Sequence, residues 1–190
     1  MRTGLLARFA MGCLIAAGTF SARAQDLDKP LLLVASPQTT GFYGRAVLVV
    51  VPSGAEHVGF IINHATRTTV AAAFPDEPES AKVDEPIYLG GPKGAQSLFA
   101  VVKGDPGEGS RRLFGELFLT GNGSTLDRII RERPREARYF AGFATWGPGE
   151  LAREIARGAW FTAEVDDGWL FHSHPGYMWT ALQPRSRASR

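Results

Sequence analysis

This sequence predicts a single α+β domain with a mostly antiparallel sheet. Three observations carry that prediction. The chain has 190 residues, enough for one domain with a substantial core. Short apolar runs bounded by Gly, Pro and polar clusters recur along it, which marks many short strands. Between them, three to four stretches carry helix start and stop signals.

In chain order, residues 25–30 (QDLDKP) are a polar lead-in and 31–35 (LLLVA) a short apolar strand. SPQTTG at 36–41 breaks into a loop. AVLVVV at 46–51 is β-branched, uncharged and apolar on both faces, as a central strand requires. A turn at 52–56 leads to a partner strand at 58–63, and so short a connection makes the pair an antiparallel hairpin. After a Thr-rich stretch, 69–74 reads as a short helix capped at Thr68 or Thr69 and stopped before Pro75. Charged, Pro-containing residues 75–85 form a surface loop.

The chain re-enters the core at 86–89, turns through Gly90-Gly91-Pro92-Lys93-Gly94 and runs out along 97–102, with 103–109 an exposed turn. Residues 113–120 form a strand interrupted at Gly115. Ser124 caps a helix over 125–133, where Leu126, Ile129 and Ile130 make one apolar stripe, and Pro134 helps to stop it. Large side chains alternate on both faces of a strand at 139–144. Gly147-Pro148-Gly149-Glu150 then starts a helix, with Gly147 as N-cap, Pro148 at the first helical position and Glu150 near the positive helix end. Leu151 and Ile155 point inward, Arg153, Glu154 and Arg157 face water, and Gly158 ends the helix. Residues 160–165 are a strand, 166–168 a turn, 169–171 a short apolar segment and 176–182 one or two helical turns.

The first 24 residues have the make-up of a secretory signal peptide: basic Arg2 and Arg8, an apolar run from Phe9 to Phe20, and a small-x-small end at Ala22-Arg23-Ala24. Cleavage is expected before Gln25, giving a periplasmic or secreted protein. The apolar run is short for a retained span, so no transmembrane segment is expected after cleavage. Lipidation at Cys13 is the alternative, disfavoured by Ala10-Met11-Gly12 ahead of it. The domain is then 25–184, followed by a basic tail, RSRASR at 185–190, expected to be disordered.

Of the 21 Lys and Arg, three lie in the leader and three in the tail, so 15 face 19 acidic residues over 25–184, a net −4. Nucleic-acid affinity needs clustered Lys and Arg, so nucleic acid is not an expected partner of the exported form. Cys13 is the single cysteine, and without the leader no thiol remains. That excludes disulfide scaffolds, thiol redox chemistry, Cys nucleophiles and thiolate metal sites.

Several ordered motifs resemble one family. Gly59-Phe60-Ile61-Ile62-Asn63, Tyr88-Leu89-Gly90-Gly91-Pro92 and, most specifically, the run from Gly142 to Leu151 with Glu154 and Ala159-Trp160 behind it are similar to segments of the YqgE/AlgH family of bacterial proteins. LLLVASPQ and AVLVVV look like the family's opening. Leu170-Phe171, Pro175 and Trp179 to Leu182 look like its ending, so the likeness covers roughly residues 30–182. The resemblance implies a curled, partly barrel-like sheet with helices packed outside, and no established enzymatic activity. The AlgH branch is named for a regulatory effect and its members look cytoplasmic. An exported protein cannot contact the chromosome, so that label transfers poorly. Two departures from the family's pattern are Ala65, where it has Pro, and His172, where it has an acidic residue.

Candidate sites are few. His172-Ser173-His174, placed on a strand, would aim both rings to one face as a metal site needs, with Asp166 or Asp167 as a third ligand; a loop with solvated imidazoles is the simpler reading. No Gly-x-Ser-x-Gly is present, so there is no nucleophile elbow. Gly90-Gly91-Pro92-Lys93-Gly94 could offer backbone N–H groups to an anion, although a strand connection needing Gly dihedrals also accounts for it. Gly121-Asn122-Gly123-Ser124, at a helix start, is a second such place. Trp146, Trp160, Trp169 and Trp179 either line a groove or fill the core.

The resulting expectation is a non-catalytic exported binding or regulatory protein, not an enzyme, without a cofactor and with an unidentified small ligand or protein partner. Its expected groove combines Asn63, Gly90, Gly91, Pro92, Trp146, Gly147 and Glu150. The alternatives are an AlgH-type transcriptional regulator in the cytoplasm and a metal-assisted hydrolase using His172 and His174.

Overall fold

Apolar residues on both faces of the first strands force helices or a second core layer onto each side of the sheet. The computed structural model describes residues 26–76, 78 and 80–184, so the expected leader and tail lie outside the described residues. β1 (Leu31–Ala35), β2 (Val47–Ser53) and β3 (Glu56–Ile61) pair antiparallel in sequence order. Leu32 and Val34 of β1 with Val47 and Val49 of β2 enter one core, and Leu31 and Leu33 with Leu48 and Val50 enter another. The β2–β3 reversal is tighter than expected: Gly54 (φ +64°) and Ala55 alone make it, with Ser53 opposite Glu56. Pro52 is tolerated in β2 because β1 pairs no further than Val50.

The Thr-rich stretch forms β4 (Ala65–Thr69), missed because it is polar and exposed. It leads into α1 (Val70–Ala73), where Thr69 accepts from the Ala72 N–H as the expected cap. Within the expected surface loop at 75–85, Ser80 and Val83 are in fact buried. β5 (Pro86–Leu89) and β6 (Lys93–Lys103) do not pair with each other. The strand expected at 113–120 is a hairpin of β7 (Ser110–Phe114) and β8 (Leu117–Thr120), reversing at Gly115, φ +50°.

α2 (Gly123–Glu132) starts earlier than expected, because Asn122 and not Ser124 is the cap: its Oδ1 accepts from the Thr125 N–H at 3.1 Å. Leu126, Ile129 and Ile130 are buried as one stripe. β9 (Ala137–Trp146) pairs parallel with β5 at Ile87 to Leu89 and antiparallel with both β3 and β6. It is therefore the strand on which the halves of the sheet meet. α3 (Glu150–Ala156), β10 (Trp160–Glu164), α4 (Asp167–Leu170) and α5 (Pro175–Leu182) complete the chain. The stretch read as a turn and apolar segment at 166–171 is α4, capped by Asp166.

Strand order is β10-β1-β2-β3-β9-β6-β8-β7, with β4 and β5 flanking β9. One core draws on β1 and on β8, near opposite ends of that order, so the sheet curls to bring them together. α3 covers the second core, and α1 and α2 a third built on β6 and β9. The architecture is the expected α+β domain with a curled, mostly antiparallel sheet; beyond the expected helices stand the single α-turn α4 and three short 3-10 turns at Gly41–Tyr43, Ser80–Lys82 and Pro134–Glu136.

Candidate functional site

The residues expected to form a groove are mostly closed into the framework. Trp146 and Trp160 are 3% and 4% exposed, and both indole N–H groups donate to the same Glu154 Oε2, at 2.9 and 2.7 Å. Glu154 thus turns inward, not to water as its place on the helix suggested. Gly147 accepts from the Glu150 N–H at 3.0 Å, and Gly149 has φ +68° and ψ 0°, so Pro148-Gly149 is a type II turn ahead of the helix. The helix therefore begins at Glu150, whose Oε2 accepts back from the Gly147 N–H. At the far end Gly158 N–H donates to Ile155 O and Ala159 N–H to Glu154 O, a Schellman motif. Tyr43 packs edge-on to Trp160 at 5.6 Å, and burial followed by the charges of Glu154 and Glu150 pushes its phenol pKa up.

Gly90 and Gly91 are buried, and Pro92, Lys93 and Gly94 are exposed. A Cβ on Gly91 would lie 2.0 Å from Phe143 C, and one on Gly90 2.3 Å from Gly142 O. Close backbone approach, not a left-handed dihedral, is the reason for these glycines. The Gly90 N–H donates to Ala141 O and its carbonyl accepts from Ile61, so Gly90 offers no donor to an anion. Asn63 is also buried: its Oδ1 accepts from the Val47 N–H at 2.8 Å and its Nδ2 donates to Arg45 O at 2.9 Å. It brackets Arg45 and opens onto nothing itself.

The His pair lies in a loop, not on a strand. His174 N–H donates to His172 Nδ1, the rings meet edge-on at 6.2 Å, and His172 stacks on Trp169. Asp166 caps α4 and Asp167 pairs with Lys103 at 3.2 Å, so neither candidate third ligand turns to the rings. No three His, Cys, Asp or Glu gather to hold a metal among the described residues. The four Trp do not line one groove: Trp146 and Trp160 are buried, Trp179 packs at the edge of their core and donates to Ala35 O at 2.8 Å, and Trp169 stacks on His172.

An open cavity of about 480 Å³ lies elsewhere, between α2 and the first half of β6. β6 pairs Lys93 with Phe143 and next Leu98 with Ala141, while β8 joins it only from Ala100. Residues 94–97 therefore bulge out without a partner residue in either neighbouring strand. Phe74, Leu98, Leu126 and Ile130 give the cavity an apolar wall. Gln96 and Ser97 on the bulge, with Asp127 and Arg131 one turn apart on α2, supply its polar groups. Gly121 and Gly123 of the second expected anion place also line it, but Asn122 already caps that helix end. The small polar run GAQS inside a strand was the sequence signal for this opening.

The model of the AlgH-like family, DUF179, matches residues 32–187. A UPF0301 protein from Chlorobium luteolum is 29% identical over 170 residues, spanning 86% of this chain and 87% of its own. One from Methylococcus capsulatus is 32% identical over 154 residues, spanning 77% and 85%. The solution structure of the AlgH protein from Pseudomonas aeruginosa matches with a TM-score of 0.69 at 24% identity, over 82% of this chain and 86% of that one. A crystal structure of a protein from Corynebacterium diphtheriae matches at 0.65 and 24%, over 83% and 88%. At those identities the two structures speak for the fold. The family match, running through nearly the whole of the folded domain, makes this chain a member of the AlgH-like family.

Proposed function

We propose that this protein is a non-catalytic binding protein, exported by its leader, that takes a small ligand in the cavity between α2 and β6. One observation carries the reading: a cavity of about 480 Å³ with an apolar wall, two opposite charges and a bulged strand beside it. Ligand sites fall in the range of roughly 300–1,000 Å³ and combine apolar lining with a few polar groups. The leader's basic, apolar and small-x-small segments support export, which separates the protein from the chromosome.

The test is a thermal-shift screen of the mature chain against a library of small metabolites, repeated with Ser97→Trp, which places bulk at the cavity from an exposed bulge. Binding there predicts compounds that raise the melting temperature of the wild type and not of the variant. Stabilisation that survives in Ser97→Trp, or a library with no hit, counts against the site. A reporter fused after the leader tests export: retention in the cytoplasm would restore the regulatory alternative.

A further inference from the structure

The loop between β1 and β2 builds a separate concavity of about 450 Å³, on the part of the sheet away from β6. Its base is pinned to the start of β10: Ser36 N–H and the Thr39 hydroxyl both donate to Ala159 O, at 3.0 and 2.8 Å. At its rim stands Arg45, with φ +58°, the one non-glycine residue in the left-handed region among the described residues. That conformation crowds any Cβ, and glycine would adopt it more readily. The backbone is nonetheless held there, because the Asn63 amide bonds the Arg45 carbonyl on one side and the Val47 N–H on the other. An arginine kept in a glycine conformation points to a task for its side chain.

The guanidinium lies over the Trp179 ring, 5.3 Å from its centroid, and the ring is itself fixed by its bond to Ala35 O. At that distance the contact is a cation–π one, which needs no carboxylate partner and leaves N–H donors of the guanidinium for another group. No described carboxylate or carbonyl takes those donors. The Thr40 hydroxyl, also lining the concavity, is likewise without a described partner. We propose that this pocket binds an oxyanion, the carboxylate or phosphate group of a small molecule, with Arg45 as the bidentate donor on a Trp179 platform and Thr40 adding a hydroxyl. Asn63 then acts as a positioning residue, orienting Arg45 without touching the ligand. The site is independent of the α2 cavity.

The experiment is an NMR titration of the mature protein with sodium phosphate and, separately, sodium acetate at constant ionic strength, against a sodium chloride control. It follows the Trp179 indole and the amides of residues 44–47. Saturable shifts with phosphate, acetate or both, absent with chloride, are expected; which salt saturates distinguishes phosphate esters from carboxylates. Arg45→Gly should keep the fold, with a melting temperature equal to or above that of the wild type, and weaken binding by at least about tenfold. Arg45→Lys should retain part of the affinity, as a point charge without the fork. Shifts that stay linear, or that persist unchanged in Arg45→Gly, would overturn the proposal.

Discussion

α2 and α3 each lay an apolar stripe on the same sheet, yet one junction is closed and the other is hollow. At α3, polar bonds complete the packing: Glu154 receives two buried indoles, and Glu150 and Gly158 fasten the two ends. Beside it, Gly90-Gly91 crosses Gly142 at a distance no side chain would allow. At α2 the stripe of Leu126, Ile129 and Ile130 does the packing, and the bulge at 94–97 holds the sheet away from the helix's first turns. The motifs most diagnostic of the family lie at the closed junction. A dense motif here marks a demanding piece of architecture, and the accessible chemistry lies where the sequence is plainer.

The strongest way to break the contrast is Gly91→Ala. Its Cβ would meet backbone at 2.0 Å, which nothing nearby can yield without moving β9. A loss of about 4 kcal/mol or more is expected, read by urea unfolding, and a near-neutral result would mean the crossing is not close-packed. Glu154→Ala comes next: two buried indole donors lose their acceptor, at a cost of roughly 2–4 kcal/mol. Glu154→Gln keeps a carbonyl acceptor and should cost less than half as much, so equal losses would show that charge, not acceptance, holds the helix. At the hollow junction, Asp127→Asn on an exposed position should change stability by no more than about 0.5 kcal/mol while altering ligand-induced thermal shifts.

The smallest effect is one of pH. His64, whose carbonyl accepts from Leu89 beside the glycine crossing, has its pKa lowered by burial. The stability tied to its neutral form is complete above about pH 6.5 and declines as pH falls toward the lowered folded value, because there the unfolded chain binds a proton that the folded chain does not. Hydrogen-exchange protection factors at Leu89 and Gly90 should fall over that window before those in α2 do. His64→Gln should flatten the difference; if the α2 amides respond equally, the closed junction is not the part that senses acid.

Much of the fold was legible because its signals are local. LLLVA and AVLVVV became two-faced strands, Thr69 capped α1, and Leu126, Ile129 and Ile130 formed the buried stripe. Glycines at 115 and 158 marked a reversal and a helix end. The differences have two causes, a partner distant in the chain or a competing local acceptor. β4 is polar and forms a strand because β5 pairs with it. Asn122 outcompeted Ser124 as a cap by lying at the right spacing from Thr125. Of the residues expected to form the groove, Asn63, Gly90, Gly91 and Trp146 are buried and bonded into the framework, which accounts for their residue types.

Periodicity, turn chemistry and motif order, all properties of neighbouring residues, determined the α+β class, most elements and the family. Tertiary structure alone decided that β9 receives β3, β5 and β6, that Glu154 faces two indoles, and that a bulge in β6 opens a cavity under α2. It also decided that Asn63 holds Arg45 over Trp179, which joins residues 18 and 134 positions apart from Arg45 in the chain. Such contacts follow from which strands pair and how far the sheet curls, and no local pattern encodes either.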